Sequence, residues 1–346
     1  MKTVLSKIGY SLFILFSIAT LVFFLFSFSF PDPEQMVVGE RTDAATKLRI
    51  RQEMGLDKPI SEQYLMYIND LSPLGFTNDK TTAPHWVMFP IGNRQISLKW
   101  PELRRSFQTG KKVTEIIGSA LPGTFVLALS SMALATVAGL IFGIISALHY
   151  NRWPDRLFMM ISTAGISLPS FFAAIIIAWL LGYVLHDVTG LTMTGSLFDY
   201  DPFEGRKLML QNLILPTLAL GIRPLAVITQ LTRSSLLEEL GKDYIRTAYA
   251  KGLPAKHVIY KHALRNAINP VVTSLSGWFA SLLAGAFFVE YIFNWKGLGK
   301  ITIEALEKSD LPLVMGSVLL VASLFIIINL WVDMIYRWID PRIKEA

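Results

Sequence analysis

Few residues in this chain of 346 stand at spacings that support covalent or metal chemistry. It contains no cysteine, which removes disulfides, thiol nucleophiles and thiolate metal sites. Its five histidines, His85, His149, His186, His257 and His262, show no metal-ligand spacing. A phosphate loop of the form G-x-x-x-x-G-K-[ST] is absent, since the nearest fragment, Gly297–Thr302, has Ile301 where a hydroxyl is required. There is no nucleophile elbow and no H-E-x-x-H. No catalytic residue, no bound metal and no cofactor of the chain's own is expected. Two features remain. Arg223 stands in GIRPLA, inside an apolar run and flanked by Gly221 and Pro224. The segment Asp243–Thr273, DYIRTAYAKGLPAKHVIYKHALRNAINPVVT, is basic and polar between two apolar runs.

The elements that must position these residues follow from composition. The chain is 52% hydrophobic and 17% charged, with a mean hydropathy of +0.46. Soluble domains carry roughly 25% charged residues, so an all-α polytopic membrane protein is expected. A spanning helix needs about 20 mainly apolar residues, and six segments qualify: Ile8–Phe30, Ser119–Leu148, Phe158–His186, Leu213–Leu231, Val271–Phe293 and Pro312–Tyr336. The first apolar run is longer than the ~7–15 residues of a signal peptide and lacks a cleavage pattern, so it is read as an uncleaved span. The net charge of +6 gathers in short loops beside the spans, as the positive-inside rule expects, and gives no reason to invoke nucleic acid. Both termini are then cytoplasmic. Three regions result: 1–30, the N-terminal tail and first span; 31–118, an extracytoplasmic domain; and 119–346, a five-helix core that includes the cytoplasmic loop 233–270. Within the external domain, Ala44–Met54 and ISEQYLMYINDL after Pro59 are candidate helices, and Asn78–Lys99 is loop or short strands.

The loop after the fourth span divides at a Gly-x-Pro break. Asp243–Lys251 holds helix formers, Gly252 sits where a C-terminal cap belongs, and Pro254 suits the first position of the next helix. Val258, Ile259, Ala263 and Leu264 give that second helix a stripe to lay on the membrane helices, which leaves the first helix projecting. On charge alone the loop reads as an interfacial basic hairpin that satisfies the positive-inside rule.

Its wording says more. The run R-T-A-x-A-K-G-L followed by H-A-L-R-N-A-x-x-P resembles the cytoplasmic "EAA" loop of ABC-transporter permeases, in the dipeptide/oligopeptide branch. Arg246 occupies the place of the general pattern's glutamate, a substitution shared by that branch. The resemblance extends over nearly the whole chain, through RQEMGLDKPISEQY (Arg51–Tyr64), RRSFQTGKKVTEIIGSALPGTF (Arg104–Phe125), GAFFVEYIFNWKGLGK (Gly285–Lys300) and NLWVDMIYRWIDPRIK (Asn329–Lys344). Lys296, where the family usually has proline, and an apparent insertion over Asn78–Lys99 depart from it.

The resemblance implies a type I ABC importer permease in the bacterial inner membrane. Such a subunit translocates peptides or a related solute by alternating access. Its partners would be a homologous second permease, two ATP-binding subunits that hold ATP and Mg²⁺, and an extracytoplasmic solute-binding protein. The positions seated in an ATPase groove would be Arg246, Thr247, Ala248, Ala250 and Gly252, with Pro254 completing the turn, and a bulky residue at Ala248 is expected to uncouple without unfolding. Arg223 either lines the pathway and meets a peptide carboxylate, or pairs with an acid or with carbonyls freed at Pro224. Asn329 is expected to bridge helices by hydrogen bonds, and Glu290 and Asp333 to cap or pair near span ends. The alternative is a self-sufficient secondary transporter or channel, which calls for repeats and ion-coupling residues that the sequence does not display.

Overall fold

The computed structural model describes residues 2–29, 57–77, 87–91, 94–201 and 205–339. The chain is mostly helical and divides into two compact units, Met1–Ala120 with Ile301–Ser323, and Leu121–Lys300 with Leu324–Ala346.

In the first unit, α1 (Lys2–Ser29) is apolar on every side of its central turns, the pattern of a helix surrounded by lipid or protein rather than water. α2 (Ile60–Leu71) starts after Pro59, which takes the N-cap with an extended ψ of 147°. Its two tyrosines dock on α1: the Tyr64 and Thr20 hydroxyls lie 2.8 Å apart, and Tyr67 stacks on Phe23 with ring centroids at 5.3 Å. Ala19, Phe23, Tyr67 and Leu319 form this unit's core. Strands β1 (Leu74–Thr77), β2 (Val87–Ile91) and β3 (Arg94–Leu98) make an antiparallel sheet with β3 central. The stretch Asn78–Lys99 thus supplies two strands. The candidate helix Ala44–Met54 lies outside the described residues.

The second unit is built around one long helix. α3 (Val113–Leu148) leads from the first unit into it. It is followed by α4 (Trp153–Ser167), α5 (Ser170–Trp179), a π-helical turn Leu180–Val184 and the short α6 (His186–Thr189). A two-stranded ribbon, β4 (Phe198–Asp201) and β5 (Gly205–Leu208), precedes α7 (Ile214–Leu240). α7 packs on α4, α5 and α11 (Asn269–Gly285), and Leu127, Ala174, Leu215, Ala219, Ile228 and Val271 share its core. α3 approaches it closely because it carries glycine at Gly139 and Gly143. A Cβ on Gly143 would stand 2.8 Å from the Thr229 carbonyl oxygen, so small residues four apart set this contact, as they do between membrane helices generally.

Among the described residues four helices are long and apolar enough to cross a membrane, Gly9–Ser29, Val113–Leu148, Leu210–Leu240 and Leu311–Trp331. The last lies in α14 (Leu311–Ile339). The expected third span, Phe158–His186, is a broken pair instead: α4 and the α5 segment meet at 113°. Leu168 is extended (ψ 128°) ahead of Pro169, the conformation a following proline enforces. The expected fifth, Val271–Phe293, is also interrupted, with α11 ending at Gly285 and α12 (Phe287–Ile292) resuming after Ala286.

Candidate functional site

The basic segment folds as a hairpin. α8 (Asp243–Ala250) is closed by Gly252, whose φ of +75° is left-handed and open to glycine at little cost. The Gly252 amide donates to the Tyr249 carbonyl (2.9 Å). Pro254 is the N-cap of the returning helix, one position ahead of the expected place, with α9 (Ala255–His257), a π turn Val258–Ala263 and α10 (Leu264–Ala267) in sequence. Polar bonds hold the base: Lys242 Nζ lies 2.5 Å from Glu239, Tyr244 donates its hydroxyl proton to Glu239, and Asn266 Nδ2 donates to the Tyr244 oxygen at 3.1 Å. The bond to Glu239 raises the Lys242 pKa above its ordinary value.

α8 has two faces. Arg246, Thr247, Tyr249 and Ala250 are exposed, as are Gly252 and Pro254. Ile245 and Ala248 are buried with Ala147, Leu236, Val258, Ala263 and Ala267. Ala248 is thus placed differently from the other five candidate positions: only 8% exposed, it packs inside its own chain. The expectation that a bulky Ala248 leaves folding intact is corrected on that ground, because a larger side chain there meets α7 and the return helix first.

One joint went unread in the sequence. Asp155 is buried (2% exposed) at the start of α4. Its carboxylate accepts from Arg233 Nε (2.6 Å) and Nη2 (2.8 Å), from the Ser146 hydroxyl and from the Asn151 amide (2.9 Å). The Arg233 guanidinium also lies 5.2 Å from the Tyr150 ring centroid. The end of α3, the turn after it, α4 and α7 are fastened at one point, two turns before α7 reaches the hairpin. The sequence signal for it is slight: Asp155 is the one acid in the Asn151–Arg156 turn, between Arg152 and Arg156.

A second buried joint lies in the Gly285–Lys300 stretch. Glu290 is wholly buried, and its Oε2 accepts from the Gly299 amide (2.6 Å) and the Lys300 amide (3.2 Å). It therefore caps the start of α13 (Leu298–Glu307), where unpaired N–H groups favour an anion. Trp295 donates its indole proton to the Gly123 carbonyl (2.9 Å), and the Leu298 amide donates to Thr124 Oγ1 (2.7 Å). The side chain of Asp333 lies outside the described residues. Asn329 donates to the Phe325 carbonyl one turn back in its own helix (2.8 Å), so the bond it shows does not bridge helices.

Comparison with known proteins places this architecture. Residues 139–345 match the family described as the binding-protein-dependent transport system inner membrane component, and residues 1–128 match the N-terminal part of such components. The chain belongs to this family. The permease is 35% identical over 328 residues to a dipeptide transport system permease protein of Alkalihalophilus pseudofirmus, covering 90% of each chain. It is 36% identical to a glutathione transport system permease protein of Escherichia coli, covering 95% of this chain and 94% of that one. Among solved structures, a chain of the inward-facing MetNI methionine ABC transporter aligns with a TM-score of 0.52 at 18% identity, over 66% of this permease and 97% of that chain. At that identity the likeness concerns the fold alone. The chain is therefore an inner membrane component of a binding-protein-dependent transport system.

Arg223 lies near the midpoint of the Leu210–Leu240 span. It is exposed, while every residue from Leu215 to Arg233 other than it is buried or half-buried. No acid or carbonyl of the described residues is bonded to it.

Proposed function

We propose that this permease carries short peptides across the bacterial inner membrane by alternating access, driven by ATP-hydrolysing partners that grip the exposed face of α8. The complete assembly would contain a homologous second permease, two ATP-binding subunits holding ATP and Mg²⁺, and an extracytoplasmic solute-binding protein. The chain itself would hold no cofactor. Six membrane passages are counted by taking α4–α5 and α11–α12 as one passage each, with both termini and the 243–269 hairpin cytoplasmic and residues 31–118 outside. The peptide substrate is supported by the two relatives' names, since a dipeptide and glutathione are both short peptides.

The observation that carries the coupling assignment is the division of α8 into two faces. Ile245 and Ala248 anchor the helix to its own chain, and Arg246, Thr247 and Ala250 are exposed among the described residues. Thr247 and Ala250 are small, so another backbone can come close to them, and Asp243 and Arg246 frame that face with opposite charges 3.5 Å apart.

Tryptophan at Ala250 or at Thr247 should sharply reduce co-purification of the ATP-binding subunits and abolish ATP-driven uptake, while thermal unfolding of the permease pair stays unchanged. Tryptophan at Ala248 should instead lower the unfolding temperature. Full transport by both outward-face variants would refute the docking assignment. Solute flux by the chain without ATP or partners would move it to the class of self-sufficient transporters.

A further inference from the structure

We propose that Arg223 faces a water-filled passage shared with one side of α11, and that this passage favours solutes bearing an anionic group. The inference rests on the translocation role proposed above and adds the charge preference of the route.

A guanidinium at the midpoint of a membrane span is too costly to leave against lipid, and such groups pair, or face a bundle interior or water. Within the described residues Arg223 has no pairing partner, and its neighbours hold the other sides of α7. Gly221 packs on the Ser131 carbonyl of α3, and Ile222 and Ala226 pack at Gly165 of α4. From Leu215 to Arg233 only Arg223 is exposed, although Ala219, Leu220 and Ala226, three or four residues away on its own side of the helix, are buried.

α11 presents a matching surface. Beyond the first-turn Pro270, the exposed positions among its described side chains, Asn269, Thr273, Gly277 and Ser281, recur every four residues and so share one helix face. All are polar or small, in a helix whose opposite side supplies Val271, Leu275, Leu282 and Leu283 to the apolar core. A Cβ built on Gly277 meets no atom within 4 Å. Depth also agrees. Leu236 of α7 shares a cluster with Ala263 and Ala267 just before α11. From that level, at ~1.5 Å per residue, Arg223 stands roughly 20 Å and Gly277 roughly 15 Å into the span, within a turn of each other. A fixed positive charge beside a polar wall attracts carboxylates and other oxyanions, with which the planar guanidinium makes paired hydrogen bonds.

The chain's lack of cysteine makes the test direct. Single cysteines at Gly277 and at Ser281, in the full membrane-embedded assembly, are reacted with a water-soluble sulfonate thiol reagent and with its quaternary ammonium counterpart, and labelling of this chain is followed by mass. The anionic reagent should react about fivefold faster than the cationic one, after correction for their rates with free thiol. Arg223→Gln should bring that ratio close to one. Cysteines that stay unlabelled would mean that lipid or the second permease covers the face, and would overturn the proposal. A ratio near one with Arg223 present would mean that a partner's acid neutralises it, and would overturn it too. A ratio that Arg223→Gln leaves unchanged would do the same. Loss of ATPase co-purification reports on α8 alone, so failure of the importer reading and failure of this one are separable.

Discussion

Asp155 joins three segments of chain through a single carboxylate. Removing one member of a buried, hydrogen-bonded ion pair strands the other, at a cost of about 3–5 kcal/mol, whereas replacing both by apolar residues costs far less. Asp155→Ala should therefore lower the thermal unfolding temperature of the purified assembly by several degrees. Asp155→Leu combined with Arg233→Met should recover much of that loss. A single variant as stable as the parent would show that the joint is dispensable. The pair could not be read from the sequence because its members are 78 positions apart and neither sits in a local pattern that announces the other. The turn at Gly252 and Pro254 was legible for the opposite reason, since its chemistry is contained within four adjacent residues. Ala248 was half legible: its small size was noticed, but a small residue serves an internal contact as well as an external one, and only the packing of Ile245 beside it decides between them.

At the scale of elements, the contact of α3 with α7 is set by how near two backbones can come. Gly143→Ile should force them apart and lower the unfolding temperature or the yield of folded protein, by an amount typical of overpacking, about 1–3 kcal/mol or more. Gly118, in the same helix, has nothing within 4 Å of an added Cβ, so Gly118→Ala should be neutral or stabilising by up to ~1 kcal/mol. Equal effects at both sites, measured by thermal unfolding, would contradict this packing. Apolar run length located the helices well, as α3 and α7 show, but not their breaks. The run through Ser167–Ser170 stays apolar enough to pass as continuous, and Pro169, which directs the 113° bend, is a type that membrane helices also tolerate inside a span. Pro122 and Pro224 are instances within α3 and α7. Whether a proline bends or breaks a helix depends on neighbours that a linear pattern does not contain.

For the molecule as a whole, the distribution of Lys and Arg sets the orientation proposed above. Reporter fusions at the C-terminus and after Lys251 should behave as cytoplasmic, and a fusion after Ser72 should behave as external. Phosphatase activity, which requires export, should be high only for the last. Activity after Lys251 would invert the assigned topology and remove the hairpin from reach of ATP-hydrolysing partners. The broad class was legible because 52% apolar composition and run lengths are bulk properties, and the family was legible from ordered signatures over nearly the full length.

The two faces of α8 carry a consequence for how such a protein changes over generations. Ile245 and Ala248 pack against residues encoded in the same gene, such as Leu236 and Val258, so a change there can be compensated within one chain. Arg246, Thr247 and Ala250 are exposed and lie outside that cluster. In the docking proposed above, a change at one of them would need a matching change in another gene. The inward face should therefore drift with its own core, while the outward face can diverge only in step with its partner's lineage.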